Sequence, residues 1–226
     1  MSERIQVWDV PTRVFHWSMV LSFCGVFLTS ESERYRDIHV MLGYTMLGLI
    51  AFRVLWGFVG TRYARFGSFL FTSGEVITYV SALAKGKAER YVGHNPAGSV
   101  AIWLLLILTI GSGVSGVLLF QDIGGDAMEE LHEVLSFAML AVVLLHVAGV
   151  VVSSIMHREN LVRAMITGTK EAGDKPEQGE GRSYGWLGAI MLVALATFWA
   201  GYSAFSAMAP EQNLSQGEYD EDDEDD

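Results

Sequence analysis

Hydrophobic residues form five long runs along the chain, separated by polar connections. The runs cover residues 14–30, 38–59, 97–120, 131–156 and 184–208. Crossing the hydrocarbon core of a bilayer as an α-helix takes about 20 residues at a rise of 1.5 Å each. Only two charged residues, Arg53 and Glu133, interrupt these runs. The pattern therefore predicts an all-α integral membrane protein with five transmembrane helices.

The first run has the flanks of a signal anchor. Trp8, Asp9 and Pro11 precede it where a cleavable signal peptide has a basic leader, and no small-residue cleavage site follows. We therefore expect this run to remain in the protein as a transmembrane helix.

Two of the connections have distinct characters. Thr72 and Glu75 have the spacing of a capping box, and apolar residues then recur at helical intervals as far as Leu83. This pattern predicts a short amphipathic helix on the inner membrane face. Residues 169–183 are rich in charge and glycine, which predicts a polar linker ahead of the fifth helix.

Composition supports the membrane assignment and excludes other classes of protein. Hydrophobic residues make up 51% of the chain and charged residues 18%, against about 25% charged in soluble domains. The net charge of −11 comes mostly from eight acidic residues within residues 217–226, and no basic cluster suggests nucleic-acid binding. The single cysteine, Cys24, excludes an internal disulfide, a cysteine-based zinc site and a CxxCH haem attachment.

Lysine and arginine are distributed unequally between the two ends of the predicted helices. Twelve lie before the first run, between the second and third, or between the fourth and fifth, whereas only Arg34 and Arg36 lie at the other end. Positively charged connections stay in the cytoplasm. The amino terminus is therefore predicted to be cytoplasmic and the acidic tail to lie outside.

Four of the six histidines lie in or at the ends of the apolar runs: His16, His39, His132 and His146. An ionisable residue inside a membrane is costly, so each is a candidate functional residue. The alternative for any one of them is a neutral imidazole bonded to a backbone carbonyl.

The depths of these histidines favour a common function. His39 and His132 lie near the outer ends of their runs, whereas His16 lies 14 residues below Ser30 and His146 lies 14 residues below His132. That interval corresponds to about 21 Å, so the four form an outer pair and an inner pair. Two imidazoles facing each other are what a six-coordinate haem iron requires.

Arg53 follows His39 by the same interval of 14 residues, so it reaches the depth of the inner pair. A haem propionate there would need a cationic partner.

Two glycines and two further histidines have less specific positions. Gly43 and Gly149 follow His39 and His146 on the same helix faces, where they would let a flat macrocycle approach or would simply help helices pack. His94 could bond a haem propionate or a quinone carbonyl, or could be an interfacial cap. His157 is expected to be interfacial only.

The sequence resembles a known family through several motifs in a fixed order. They are Trp8-Asp-Val-Pro-Thr-Arg13-Val-Phe-His16-Trp17, His39-x-x-x-Gly43, Arg53-x-x-Trp56-Gly57, His94-Asn-Pro-x-Gly98 and the pair His132 and His146. Together they resemble the bacterial cytochrome b561 and nickel-iron hydrogenase b-type cytochrome group, over about residues 6–168.

The resemblance implies a di-haem b-type cytochrome of the bacterial inner membrane, with a four-helix haem-binding domain in residues 1–168. The implied iron ligands are His16, His39, His132 and His146, with Arg13, Arg53 and His94 near the cofactors. The implied function is electron exchange between the quinone pool and a hydrogenase, a reductase or a c-type cytochrome. The chain would be an electron-transfer protein or a subunit of a respiratory oxidoreductase, and a quinone is a possible second ligand.

Two alternatives belong to other functional classes. One is a stand-alone quinone-reactive oxidoreductase acting, for example, on superoxide, which would need positive charge at the outer haem. The other is a haem-free transporter or membrane anchor that uses histidines as a proton path. A reduced visible spectrum separates both haem-binding functions from the haem-free one.

The last 18 residues, 209–226, are predicted to be a disordered acidic tail outside the membrane. Such a tail could steer a basic soluble redox partner toward the outer haem. It could equally be a solubilising end without a partner.

Overall fold

Two hairpins of long helices form the body of the protein in the computed structural model, which describes residues 4–172 and 182–208. The first hairpin joins α1 (Val10–Thr29) to α2 (Arg36–Val59), and the second joins α4 (Pro96–Phe120) to α5 (Gly125–Met156). Three further helices are α3 (Ser73–Ala84), α6 (Leu161–Thr167) and α7 (Gly185–Met208). Short 3-10 helices lie at Glu33–Tyr35 and Phe66–Phe69.

Local sequence explains where the helices begin. The Asp9 carboxylate accepts the Thr12 amide at 2.7 Å at the start of α1, and the Asn95 side chain accepts the Gly98 amide at 2.7 Å at the start of α4. Each cap is followed by a proline in the first turn, where no amide donor is needed. Helix α5 begins at Gly125, six residues before the apolar run, because acidic residues are stabilised near a helix N-terminus.

The hairpins meet through α2 and α4, while α7 packs against α1 and α2. One apolar cluster joins Val26, Met46 and Met139 from α1, α2 and α5. A second cluster joins Ile50 and Leu106 to Phe66 and Phe69 of the 3-10 segment. Among the described residues, the backbone of α5 approaches α4 closely and makes at most marginal approaches to α1 and α2. The two hairpins therefore stand apart along one side.

Within the described residues, four stretches are long and apolar enough to cross a membrane: residues 33–59, 96–120, 125–156 and 185–206. The protein is a multi-pass membrane protein. Helix α1, which the sequence predicts as a span, is not among the four, because Arg13, His16 and several hydroxyl residues lower its hydropathy.

A small antiparallel sheet joins the beginning of the chain to the segment after α6. Strand β1 (Arg4–Gln6) pairs with β2 (Thr169–Glu171), with Ile5 opposite Lys170. The predicted polar linker therefore begins as a strand, and residues 173–181 of it lie outside the described residues. The predicted helix after Thr72 is present as α3, with both hydrogen bonds of its capping box. The predicted tail, residues 209–226, also lies outside the described residues.

Candidate functional site

The outer histidines face each other across the space between the hairpins. His39 of α2 and His132 of α5 have ring centroids 6.3 Å apart and planes inclined by 72°. A first-row metal ion bound by one nitrogen of each of two facing imidazoles, at about 2 Å, separates the ring centres by roughly 6 Å. The spacing of this pair therefore suits a shared metal ion.

Hydrogen bonds orient both rings. His39 Nδ1 lies 2.9 Å from the Val26 carbonyl oxygen of α1, and His132 Nδ1 lies 2.9 Å from the Ser112 carbonyl oxygen of α4. Donation from Nδ1 leaves Nε2 as the unprotonated nitrogen. Metal-binding histidines are commonly held in this way by their second nitrogen. Each hairpin thus fixes its own histidine with Nε2 available as a ligand.

Close packing further constrains His132. Ser115 lies 3.2 Å from His132 Nδ1, and a Cβ at Gly116 would come within 2.9 Å of the imidazole ring. Residue 116 must therefore be small for the ring to keep this position. No local sequence pattern distinguishes Gly116 from the other glycines on α4.

The inner histidines come from two helices, His16 from α1 and His146 from α5, and His94 lies just ahead of α4. His16 Nδ1 is buried and makes no hydrogen bond within the part of the chain that the structure describes. The side chain of His16 additionally packs edge-on against Trp17, with ring centroids 5.1 Å apart.

His94 is partly buried, and its Nδ1 atom is fully enclosed. Its ring lies between Trp8 and Phe69, with centroid distances of 4.7 and 4.6 Å, and its Nδ1 has no hydrogen-bond partner among the described residues. Burial, reinforced by the charge of Arg53, lowers the pKa of His94 to about 3, so the imidazole is neutral at pH 7. The helix cap here is Asn95, so the alternative of a capping role for His94 does not hold.

Arg53 supplies the positive charge of what we call the inner cluster, which consists of His16, His94, His146 and Arg53. Its side chain is 4% exposed, and its guanidinium carbon lies 5.0 Å from the Phe66 ring centroid and 5.7 Å from that of Phe69. One terminal nitrogen, Nη1, is buried without a hydrogen-bond partner among the described residues. The cluster therefore provides an arginine donor that can bind an acceptor and imidazole nitrogens that can bind a ligand.

A buried carboxylate anchors this end of the site. Asp9 is fully buried and accepts hydrogen bonds from Thr61 Oγ1 at 2.6 Å, Trp56 Nε1 at 3.0 Å and the Thr12 amide. Asp9 also attracts Arg53 electrostatically. An aspartate before a helix-initiating proline is a recognisable cap signal, but its further bonds to Trp56 and Thr61 have no local sequence signal.

Arg13 has a different environment from Arg53. Its Nη1 donates to the Ile166 carbonyl oxygen of α6, and its Nε is buried without a partner among the described residues. Trp17 Nε1 donates to the neighbouring Met165 carbonyl oxygen at 3.3 Å. These contacts fasten α6 to α1. His157, expected to be interfacial, is partly buried at the C-terminal cap of α5.

The two glycines beside the histidines border open space. A Cβ at Gly43 or Gly149 would meet no heavy atom within 4 Å. By contrast, a Cβ at Gly113 would collide with Leu47, so that glycine serves close helix packing. Gly43 and Gly149 therefore do not serve packing between helices in this structure.

Comparison with known proteins agrees with this arrangement. The family model described as prokaryotic cytochrome b561 matches residues 7–168. The chain belongs to this cytochrome b561 family. It is therefore a membrane b-type cytochrome acting in electron transfer, and a b-type haem is the cofactor that membership implies.

Individual relatives carry a consistent description. A probable Ni/Fe-hydrogenase B-type cytochrome subunit of Rhizobium leguminosarum is 24% identical, covering 77% of this chain and 92% of that protein. Its counterpart in Rhodobacter capsulatus is also 24% identical, covering 75% and 82%. The probable Ni/Fe-hydrogenase 1 B-type cytochrome subunit of Escherichia coli K12 is 21% identical, covering 72% and 88%. No solved structure matches the chain.

The residues of this cytochrome b561 fit a haem. The outer pair provides two imidazoles whose Nε2 atoms are unprotonated, and open space borders Gly43 on the His39 side. The inner cluster contains buried polar atoms of His16, His94 and Arg53 that lack protein partners among the described residues. Imidazole nitrogens suit iron, and guanidinium and imidazole donors suit propionates.

Proposed function

We propose that this cytochrome b561 binds two haems, each between a pair of histidines, and carries electrons across the bacterial cytoplasmic membrane. The observation that carries the proposal is the outer pair, in which His39 and His132 face each other with ring centroids 6.3 Å apart. Both imidazoles are held by Nδ1 on carbonyls of neighbouring helices, an arrangement typical of metal ligands.

The inner haem would lie between His16 and His146. His16 and His146 lie on different helices, α1 and α5, and the buried Nδ1 of His16 has no hydrogen-bond partner among the described residues. His132 and His146 are 14 residues apart on α5, which corresponds to about 21 Å along the helix axis. Two cofactors at those levels would occupy most of a hydrocarbon core about 30 Å thick.

The protein side chains would perform three tasks. The paired imidazoles, His39 with His132 and His16 with His146, would hold each iron and leave no iron site open to oxygen. Arg53, and His94 beside it, would bind propionates at the inner site. The apolar rings of Phe66, Phe69 and Trp8 would exclude water from that site. When bound, the haem irons supply a one-electron ferric–ferrous couple.

The β1–β2 sheet supports five membrane crossings. Because β1 precedes α1 and β2 follows α6, the chain between the two strands begins and ends on the same side of the membrane. Helices α2, α4 and α5 supply three crossings, so an even number requires α1 as the fourth. Helix α7 then makes the fifth. The excess of lysine and arginine at the β-sheet end favours a cytoplasmic location for it.

We further propose that the quinone pool lies on one side of this electron path and a redox protein on the other. The relatives described as hydrogenase subunits favour a hydrogenase as that protein. A reductase or a periplasmic c-type cytochrome would use the same outer haem. A haem-free transporter is disfavoured by membership in a cytochrome family.

Haem stoichiometry of the purified full-length protein tests the proposal. The dithionite-reduced spectrum should show a b-type α band, and extraction should yield two haems per chain. Each single alanine variant of His16, His39, His132 and His146 should lose one haem. His157→Ala, which alters a histidine outside both pairs, should retain two. One haem per wild-type chain, or retention of both in these ligand variants, would reject the di-haem proposal.

A further inference from the structure

An open pocket of about 800 Å³ lies where α2 ends and the chain turns into the Phe66–Phe69 segment. Its cationic lining consists of Arg62, Arg65 and Arg182, and no carboxylate lines it among the described residues. Phe58 and Leu70, on the same lining, are 71% and 66% exposed. The pocket is therefore both basic and apolar, and none of the candidate haem-binding histidines lines it, although it shares Phe66 with the surroundings of Arg53.

Local contacts hold the arginines at this place. Arg65 Nε donates to the Gly60 carbonyl oxygen at 2.7 Å, and its terminal Nη groups make no hydrogen bond to any residue that the structure describes. Arg182 lines the pocket together with Tyr184, whose ring packs edge-on against Trp56 at a centroid distance of 5.3 Å. Two guanidinium groups from distant parts of the chain are thus directed to one pocket.

The pocket lies at the level of the membrane boundary. One candidate membrane span ends at Val59 and another begins at Gly185, and both of these points adjoin the pocket. Tyr184 stands at the start of the second span, a position that tyrosine favours because its ring suits the interface. The exposed Phe58 and Leu70 side chains would then contact acyl chains, while the arginines would lie among headgroups.

We propose that this pocket binds the phosphate-bearing headgroup of an anionic phospholipid from the adjoining leaflet, such as phosphatidylglycerol. Guanidinium groups bind phosphate oxygens through paired hydrogen bonds. Basic pockets beside transmembrane helices bind anionic headgroups. The exposed apolar wall favours a lipid over a free anion, since inorganic phosphate has no apolar group that could contact it. This inference depends on the membrane location of the chain and is independent of the number of haems.

Titration of the purified, haem-loaded full-length protein in a neutral detergent tests the proposal. The probes are short-chain phosphatidylglycerol, short-chain phosphatidylcholine and inorganic phosphate, with binding measured calorimetrically below the micellar concentration of each lipid. Wild-type protein should bind phosphatidylglycerol at least about tenfold more tightly than either other probe.

The double variant Arg65→Gln/Arg182→Gln should bind phosphatidylglycerol roughly thirty-fold more weakly, because each arginine near an anionic lipid contributes about a factor of five. The double variant Lys85→Gln/Arg163→Gln removes the same charge from exposed positions outside the pocket and should bind within twofold of wild type. An unchanged haem spectrum in both variants shows that the fold is intact. If the Arg65 change prevents folding, Arg182→Gln alone should weaken binding about fivefold.

Three results would overturn the proposal. Equal binding of phosphatidylglycerol and phosphatidylcholine would show that the phosphate charge is not recognised. Equal binding of inorganic phosphate would identify a free-anion site. Equal weakening in the two double variants would mean that net charge, and not this pocket, attracts the lipid.

Discussion

The imidazoles of His39 and His132 meet between two helical hairpins, and each is oriented by the partner helix of its own hairpin. His39 Nδ1 lies against the Val26 carbonyl oxygen of α1, and His132 Nδ1 lies against the Ser112 carbonyl oxygen of α4. Their ring centroids are 6.3 Å apart, although the backbones of α2 and α5 make at most a marginal close approach within the described residues. The two histidine side chains therefore meet in a region where the backbones of α2 and α5 stay apart.

This relationship predicts the grouping of ligand variants. His39→Ala and His132→Ala should each remove the spectrum of the same haem. Redox titrations of the two variants should therefore show the same single remaining wave. His16→Ala and His146→Ala should abolish that wave instead. The reason is that imidazoles about 21 Å apart along a helix cannot share one iron. Redox titration with haem quantification provides the measurement. A wave lost in both His16→Ala and His132→Ala would contradict the pairing.

The glycines beside the ligands predict a separation between cofactor loss and unfolding. Gly149→Leu should lower the occupancy of the inner haem severalfold while the helical fold persists, because its Cβ would meet no protein atom within 4 Å. Gly57→Leu is the matched control, since a Cβ there would collide with the Phe66 ring and should destabilise the fold itself. Haem content and helical circular dichroism are measured together. Full haem occupancy in Gly149→Leu would remove this glycine from the cofactor site.

Arg53 is predicted to set the potential of the inner haem. An arginine in a membrane costs at least about 2.5 kcal/mol unless it is partnered, and Nη1 of Arg53 has no hydrogen-bond partner among the described residues. Arg53→Leu removes a positive charge that favours the reduced state. A loss of about 1.4 kcal/mol would lower a one-electron potential by about 59 mV. Arg53→Lys keeps the charge and should shift the potential less. An inner-haem potential unchanged in Arg53→Leu would contradict the assignment.

Asp9 is predicted to stabilise the protein through its buried hydrogen bonds. Asp9→Ala would leave the donors of Trp56, Thr61 and the Thr12 amide without an acceptor and Arg53 without its nearby anion. Breaking such a buried charged network costs about 3–5 kcal/mol. Thr61→Ala removes one donor and should cost about 1 kcal/mol. Thermal unfolding of the haem-loaded protein measures both, and similar small losses in the two variants would show that Asp9 contributes little.

The hydrophobic pattern predicts the long helices, and the spacing of the histidines predicts two levels along them. Helix length and the depth of a side chain both follow from the rise per residue. His39 and His132 were paired from a depth argument, and the structure brings these rings together. The hydrogen bonds that Asp9 accepts from Trp56 and Thr61 span 47 and 52 residues, so no local pattern indicates them. The β1–β2 pairing was likewise missed, since strands of three residues carry no usable alternation. The family resemblance implies that Arg13 lies near the cofactors, and this stays a prediction; in the structure its Nη1 donates to the Ile166 carbonyl oxygen of α6.

The acidic tail is predicted to accelerate electron transfer to a basic periplasmic partner. Seven of the eight residues 219–226 are acidic, and such a segment has no apolar surface to bury. Long-range attraction raises encounter rates at low ionic strength and is screened at high salt. Deleting residues 217–226 should slow reduction of a basic c-type cytochrome severalfold at low salt, with rates converging at high salt. An acidic cytochrome serves as the control and should show no slowing. Equal rates with the basic cytochrome at every salt concentration would leave the tail as a solubilising end.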